Sequence, residues 1–404
     1  MAKSRRRQAG EGSISEYATN AGPRFLIKYW APQSDGTRKQ VLRRGFHTRK
    51  AAAEALREQL ANIDRGTHVA PSRMTVEQHF ATWLDGLRKG PTTVASYRKN
   101  VRLHVVPHIG DVKLAALTGA RLNALYRQLE TSGRHDGAGG LGARTVRYIH
   151  TIIHSALAAA IDDSLIAVNP ASKAKPPTAK QAKSPEMRTW DAGQLRTFLD
   201  WSERERPELY PAWLLLAMTG MRRGEALAVR WGDVDFEAGT LAVRRSAVLV
   251  KAKGEGQQLD VGPPKSGRSR VVDLDPRTLA ALRAHRAQRG ALSLSLARDD
   301  AYVLGRLDGG LRHPERLSRE FGRQLASAAR QLGDAMPPVI RLHDLRHTHA
   351  TLYLRAGVHP KIVSERLGHA TISITLDVYS HAMPTMQREA ATQVAALIYG
   401  GTPS

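Results

Sequence analysis

The sequence predicts a mainly α-helical, multidomain protein with small β-sheets, and three observations predict it. At 404 residues the chain has room for two or three domains. Apolar residues recur at three- and four-residue spacing over most of its length, and strand-like runs occupy only two short regions. A stretch rich in Pro, Lys, Ala and Ser with no periodicity, residues 169–188, divides the chain. Charge then bounds function. The chain has 61 Lys and Arg against 37 Asp and Glu, a formal charge of +24 with pI near 10.7. A surplus of this size points to a polyanion, nucleic acid first and an anionic membrane surface second. There are no cysteines, which excludes disulfides, thiolate catalysis and Cys-bound zinc. No window approaches 18 consecutive apolar residues, and no apolar stretch follows the basic start MAKSRRRQAGEG. Neither a membrane span nor a secretory signal is expected, and a cytoplasmic location is.

Residues 1–70 form a small basic unit, with 14 Lys and Arg against 6 acidic residues for a net of +8. PRFLIKYWA and KQVLRRGFHT read as β-strands around the turn PQSDGTR, and RKAAAEALREQLANIDRG as a helix stopped at Gly66. A short sheet with one helix and this charge suggests DNA contact; a solvated basic face is the plainer reading. Residues 71–168 read as wholly helical, in VEQHFATWLDGL, TTVASYRKNVRLHVVPHIG, LTGARLNALYRQLE and ARTVRYIHTIIHSALAAAIDDSL. The glycines of SGRHDGAGGLG interrupt them. Val146, Ile149, Ile153 and Leu157 mark the core face of the last helix. Arg98, Lys99, Arg102, Arg144 and Arg147 lie on or beside these helices, where phosphate contact and ordinary surface charge are equally good readings.

Residues 169–188 follow as an extended linker whose lysines could track a phosphate backbone. Residues 189–390 read as one mixed α+β domain. Two helices, AGQLRTFLDWSERE and one ending at Thr219-Gly220, precede strands in GTLAVRRSAVLV, QLDVGPP and SRVVDL, and helices fill the rest. The tail around 391–404 carries a helical apolar pattern in Val394, Leu397 and Ile398.

Five stretches of the mixed domain bear on chemistry. RLHDLRHTHATLYLRAG, residues 341–357, places His343, Arg346, His347 and His349 within seven positions. His343 and His347 are four apart and share a helix face, as zinc ligands do. His343 and Arg346, one turn apart, could instead present two donors to an anion. The zinc pattern H-E-x-x-H requires Glu where Asp344 stands, and no third ligand follows at a suitable spacing. The anion clamp is therefore favoured and no metal is expected. In TGMRRGEALAVRW, Arg222 opens a helix with Glu225 in its first turn, so its guanidinium beside free backbone amides would seat a phosphate. Lys265 in GPPKSGRSRVVDL falls on a tight turn between strands. In PKIVSERLGHATIS, Pro360 starts a helix, Gly368 ends it, and His369 is displayed just past the stop. ITLDVYSH supplies Tyr379. Singly, each is an ordinary structural feature.

Together, TGMRRGE, PPKSGRSR, HDLRHTHAT, ERLGHATISIT and LDVYSH resemble the catalytic set of the tyrosine recombinases, the phage integrase family, over about residues 185–385. The resemblance implies that Arg222 and Arg346 clamp a phosphate and that Lys265 is the hairpin lysine. It makes His343 and His369 the active-site histidines and Tyr379 the nucleophile, with Glu225 and His347 in support. The insertion KAKGEGQQ brings Lys251 and Lys253 near Lys265. The implied reaction is attack of the tyrosine oxygen on a DNA phosphodiester, giving a 3′-phosphotyrosyl bond and a free 5′-hydroxyl, as in type IB topoisomerases. A second transesterification follows, with no ATP and no cofactor.

The same resemblance makes the first unit an arm-type DNA-binding domain with a three-stranded sheet. It makes residues 71–168 a SAM-like core-binding domain and residues 189–390 the catalytic domain. It implies a phage or mobile-element integrase that bridges arm and core sites of double-stranded DNA in a bacterial nucleoid. The tail would dock on a neighbouring protomer in a homotetramer, packing in cis being the alternative. A DNA-bending host factor or an excisionase is a further expected partner. Three rivals are a catalytically inert DNA-binding regulator on the same domains, a chromosome-dimer resolvase, and a basic metal-dependent nuclease. Dimer resolvases are usually shorter and lack the first unit.

Overall fold

The computed structural model describes residues 12–32, 37–65, 73–183, 187–252, 256–379 and 386–399, a few of them, Tyr379 included, by backbone alone. Three antiparallel strands, β1 (Ser13–Thr19), β2 (Gly22–Pro32) and β3 (Arg38–Phe46), lie in the order β1-β2-β3. Helix α1 (Arg49–Asp64) starts at Thr48, whose hydroxyl accepts from the Ala51 amide at 3.1 Å. Alternate residues of β2 (Ile27, Tyr29 and Ala31) bury against Ala52 and Leu56 of α1. The pattern SISEYAT carries too few apolar residues to read as a strand, so only the family resemblance gave the third one.

Four longer helices and one short one follow: α2 (Val76–Asp85), α3 (Pro91–His104), α4 (Val106–Ile109), α5 (Gly119–Ser132) and α6 (Ala143–Asp162). A capping box between Thr75 and Gln78 starts α2. The expected face of α6 is fully enclosed, Val146, Ile149, Ile153 and Leu157 packing with Phe80, Leu122 and Tyr126. The segment expected to be an extended linker, 169–188, is fixed to this bundle over much of its described length. Asn169 donates to the His154 carbonyl at 3.0 Å and caps a 3-10 turn at Pro170–Lys173. The Lys175 amide donates to Asn123 at 2.6 Å, and Arg147 donates to the Pro177 carbonyl at 3.0 Å. Polar side chains of the bundle supply the backbone partners that an isolated Pro-rich strand lacks.

Residues 185–404 form a second compact unit. Its helices α7 (Ala192–Glu205), α8 (Tyr210–Thr219) and α9 (Arg223–Leu227) are followed by β4 (Val234–Asp235), β5 (Thr240–Val243), β6 (Ser246–Ala252), β7 (Gly256–Gly262) and β8 (Arg270–Asp273). Strands β4, β5 and β8 form one antiparallel sheet in that order, and β6 with β7 forms a separate hairpin. Helices α10 (Pro276–Leu292), α11 (Pro314–Leu332), α12 (Asp344–Arg355), α13 (Pro360–Leu367), α14 (Ile372–Tyr379) and α15 (Met386–Tyr399) complete it. Trp190, Trp201, Trp213 and Trp231 are all buried in one core, and every indole N–H finds an oxygen acceptor. Almost all of α8 is buried, which makes its C-terminal end a rigid base for the turn at Gly220.

Candidate active site

The site is built around the end of α8. Gly220 takes a left-handed conformation, φ +63°, and a Cβ there would lie 2.7 Å from both His349 and Leu367. Only glycine turns the chain in that space. Its carbonyl accepts from Arg346 Nη1 at 2.7 Å, which fixes the buried guanidinium of Arg346 on α12. Two residues on, Arg222 precedes α9. Its side chain donates to Glu225 at 2.9 Å and to the Gly368 carbonyl at 3.3 Å. The Arg222 amide is taken by the other Glu225 oxygen at 2.9 Å, and α9 is only five residues long. The Arg222 amide is therefore not open to an anion, and the charged group presented at this position is its guanidinium.

Glu225 is completely buried. Burial alone would push its carboxyl up, but the hydrogen bond and charge of Arg270, ahead of the amide and charge of Arg222, hold it below the usual range. Arg270 grips the carboxylate with both ends of its fork, at 2.8 and 3.3 Å. Arg270 opens β8 and shares a strand face with buried Val272. Its place in the alternation of SRVVDL was the available signal: an arginine on the inward parity needs a buried carboxylate.

His343 stands at the edge of α12, exposed, with its ring 5.1 Å from that of His347 in edge-to-face contact. Packing around the His343 ring, then the charge of Arg346, lowers its pKa; Asp344 opposes this and Arg222 and Arg341 add to it. Burial, with the neighbouring His343, brings His347 down to about 4. His369 follows Gly368, which closes α13 at φ +67°. Its Nδ1 pairs with the buried Thr375 hydroxyl at 2.8 Å, leaving Nε2 as the ring's other polar atom. Burial, then Arg346, Arg222, His347 and Arg270, bring His369 down to about 4. Both His343 and His369 thus feel both Arg222 and Arg346. Arg222 reaches the Gly368 carbonyl next to His369, and Arg346, one turn after His343, reaches the Gly220 carbonyl two residues before Arg222.

His349 is elsewhere engaged. It pairs with the Ala217 carbonyl at 2.9 Å and accepts from Arg366 at 3.2 Å, and burial brings it down to about 3. Arg366 also donates to the carbonyls of Met218 and Asp273, tying α13 to α8 and β8. Asp344 is consumed by Arg341, which donates to it from its amide and its guanidinium. Among the described residues no group of three or more His, Cys, Asp or Glu is placed to hold a metal ion.

Lys265 lies on an exposed turn closed by Gly267 N–H to Pro264 O at 2.8 Å, between β7 and β8. It makes no hydrogen bond or ion pair with the four side chains, and it stands five residues before Arg270, a backbone reach of roughly 18 Å at most. The backbone of Tyr379 ends α14, one helical turn after Thr375, and its side chain lies outside the described residues. The side chains of Lys251 and Lys253 likewise fall outside them. Arg98, Lys99, Arg102, Arg144 and Arg147 are all exposed, Arg98 pairing with Asp85 at 2.7 Å and Arg147 holding the segment after α6.

Residues 189–386, which contain every element of this cluster, match the phage integrase family. The chain belongs to that family. Residues 19–63 of this integrase match an arm DNA-binding domain. An XerC-like tyrosine recombinase of Caldanaerobacter subterraneus is 25% identical over 367 residues, covering 87% of this chain and 91% of that protein. The integrase of Mycobacterium phage FRAT1 is 28% identical over 347 residues, 84% of this chain and 93% of its own. In fold, the Tn1549 transposon integrase in complex with transposon right-end DNA superposes with TM-score 0.65 at 21% identity, over 80% of this chain and all of that one. A lambda integrase tetramer bound to a Holliday junction gives TM-score 0.52 at 18% identity, over 92% and 96%. The protein is thus a tyrosine recombinase of the integrase type, an enzyme of site-specific DNA recombination. No helix among the described residues is long and apolar enough to cross a membrane.

Proposed function

We propose that this integrase cuts and rejoins the DNA of a phage or other mobile element through a 3′-phosphotyrosyl intermediate formed on Tyr379. One observation carries the reading: the guanidinium of Arg222 is held at the Gly368 carbonyl beside His369, and that of Arg346, one turn from His343, at the Gly220 carbonyl two residues before Arg222. A phosphodiester placed among them meets four donors or acceptors at once. As the Tyr379 oxygen bonds to phosphorus, charge grows on the nonbridging oxygens of a five-coordinate centre. The guanidiniums complement that charge at any working pH, and the Nε2–H of His369 adds a donor. His343, whose pKa is lowered by burial and then by Arg346, takes the phenolic proton. Lys265, carried in on its turn, protonates the departing 5′-oxygen. The tyrosyl ester forms as the P–O5′ bond breaks, and a 5′-hydroxyl of another strand reverses both steps.

Glu225 and His347 support the arginines and the histidine pair. The three-stranded unit contacts arm sites and the helical unit core sites of double-stranded DNA, and exposed Arg98, Lys99, Arg102 and Arg144 are its candidate phosphate contacts. Four protomers act together, as the tetrameric lambda relative does, with α15 as the candidate link between copies. A DNA-bending factor or excisionase and a place on the bacterial nucleoid complete the proposal. The test is a core-site duplex nicked beside the cleavage point, incubated with the full chain in EDTA. A covalent protein–DNA adduct is expected, and Tyr379→Phe should abolish it while DNA binding persists. An adduct that survives the Phe change removes Tyr379 from the role.

A further inference from the structure

A salt bridge between a phosphate clamp and a buried carboxylate poses a problem. Paired with Glu225 alone, Arg222 would be fixed but electrically cancelled. The structure supplies a second cation for the same carboxylate. Arg270 Nη2 and Nη1 reach Glu225 at 2.8 and 3.3 Å, its side chain nearly as buried as the carboxylate itself. Its Nε donates to the Arg366 carbonyl at 2.8 Å, at the end of α13. A Cβ on Gly368 would lie 2.9 Å from Arg270 Nη1, and the Gly368 carbonyl accepts from Arg222. The turn that displays His369 is therefore held between the two guanidiniums.

We propose that Arg270 is a positioning residue for the strand-transfer reaction. It takes up the charge of Glu225 so that Arg222 stays both fixed and electropositive, and it pins the Gly368 turn that presents His369. Two arginines on one carboxylate leave a net positive charge, where one would leave none. The order of effects on the Glu225 carboxyl agrees, Arg270 outweighing Arg222. Arg270 also stands among the cations that hold His369 neutral.

The inference rests on the phosphotyrosyl reading, and the test keeps the two apart. Single-turnover adduct formation on the nicked duplex is measured against pH for the wild type, Arg270→Met, Arg270→Lys and the double variant Glu225→Gln/Arg270→Met. DNA affinity and thermal melting are followed alongside. Arg270→Met should react about 10- to 100-fold more slowly at nearly unchanged DNA affinity, somewhat less than removal of a direct donor costs. Its acid limb should move to higher pH, since the base His343 then faces an Arg222 whose charge Glu225 cancels. The double variant should recover about tenfold over Arg270→Met, because a neutral amide no longer cancels Arg222. Should Arg270→Met not fold, Arg270→Lys decides: it keeps the charge but not the fork, and should react slowly with the wild-type acid limb. Wild-type rates in Arg270→Met or Arg270→Lys overturn the proposal, as does a slow Arg270→Met with an unmoved acid limb and no recovery in the double variant. A wild type that forms no adduct overturns the phosphotyrosyl reading instead.

Discussion

At the level of single residues, the site is dominated by fixed positive charge. Arg222, Arg270 and Arg346 contribute three positive charges and Glu225 one negative, so the cluster keeps a surplus of two while His369 stays neutral. Neutral imidazoles have a cost in acid. His347 and His369 are held at about 4 and His349 at about 3, each chiefly by burial. Their unfolded values lie near 6.5, so below that pH the unfolded chain takes up protons that the folded chain refuses. Stability is therefore complete above about pH 6.5 and drains away as pH falls toward 4. By pH 4.5 the enclosed His349 alone accounts for a loss on the order of 2–3 kcal/mol, and the two half-buried rings for less. Urea unfolding at pH 7 and pH 4.5 checks this, and His349→Gln should flatten the difference. Equal stability at both pH values would show that these rings are not buried neutral.

At the level of elements, the site is assembled from the ends of helices: the last turn of α8, the first of α12, the stop of α13 and the middle of α14. Thr375 of α14 orients His369 through a 2.8 Å contact and is itself buried. Thr375→Val keeps the shape and removes the hydroxyl, so adduct formation should slow about tenfold while the melting temperature shifts little. An unchanged rate would mean that His369 needs no such restraint.

These helix ends were the legible part, because Gly220, Gly368 and Pro360 mark them in the sequence and charged residues stand beside them. The partner of a side chain was not legible. Arg270 reads as a strand residue until its parity is followed, and nothing in NPASKAKPP signals that Asn123 and Arg147 hold that segment down. That Glu225 takes the Arg222 amide was not legible either, since the reach of a side chain back to its own helix start depends on its rotamer. Strand β1 was hidden by its polar composition, since SISEYAT buries little and is held by its backbone pairing with β2.

At the level of the whole molecule, the +24 charge supplies affinity for DNA, which falls with salt as counterions are released, and says nothing about chemistry. The proposed chemistry falls to a few arginines whose charge is set against one carboxylate and three carbonyls. In the proposed reaction Arg222 and Arg346 stabilise one phosphorus centre together, as fixed positive charge. Its most direct measurement is the single-turnover cleavage rate, at saturating nicked duplex and with EDTA present, of Arg222→Lys, Arg346→Lys and the double variant. Each single change should slow cleavage on the order of 10²–10³-fold without weakening DNA binding, and the double change should cost clearly less than the product of the two. Near wild-type cleavage by either lysine variant, or a rate that depends on added magnesium, would contradict it.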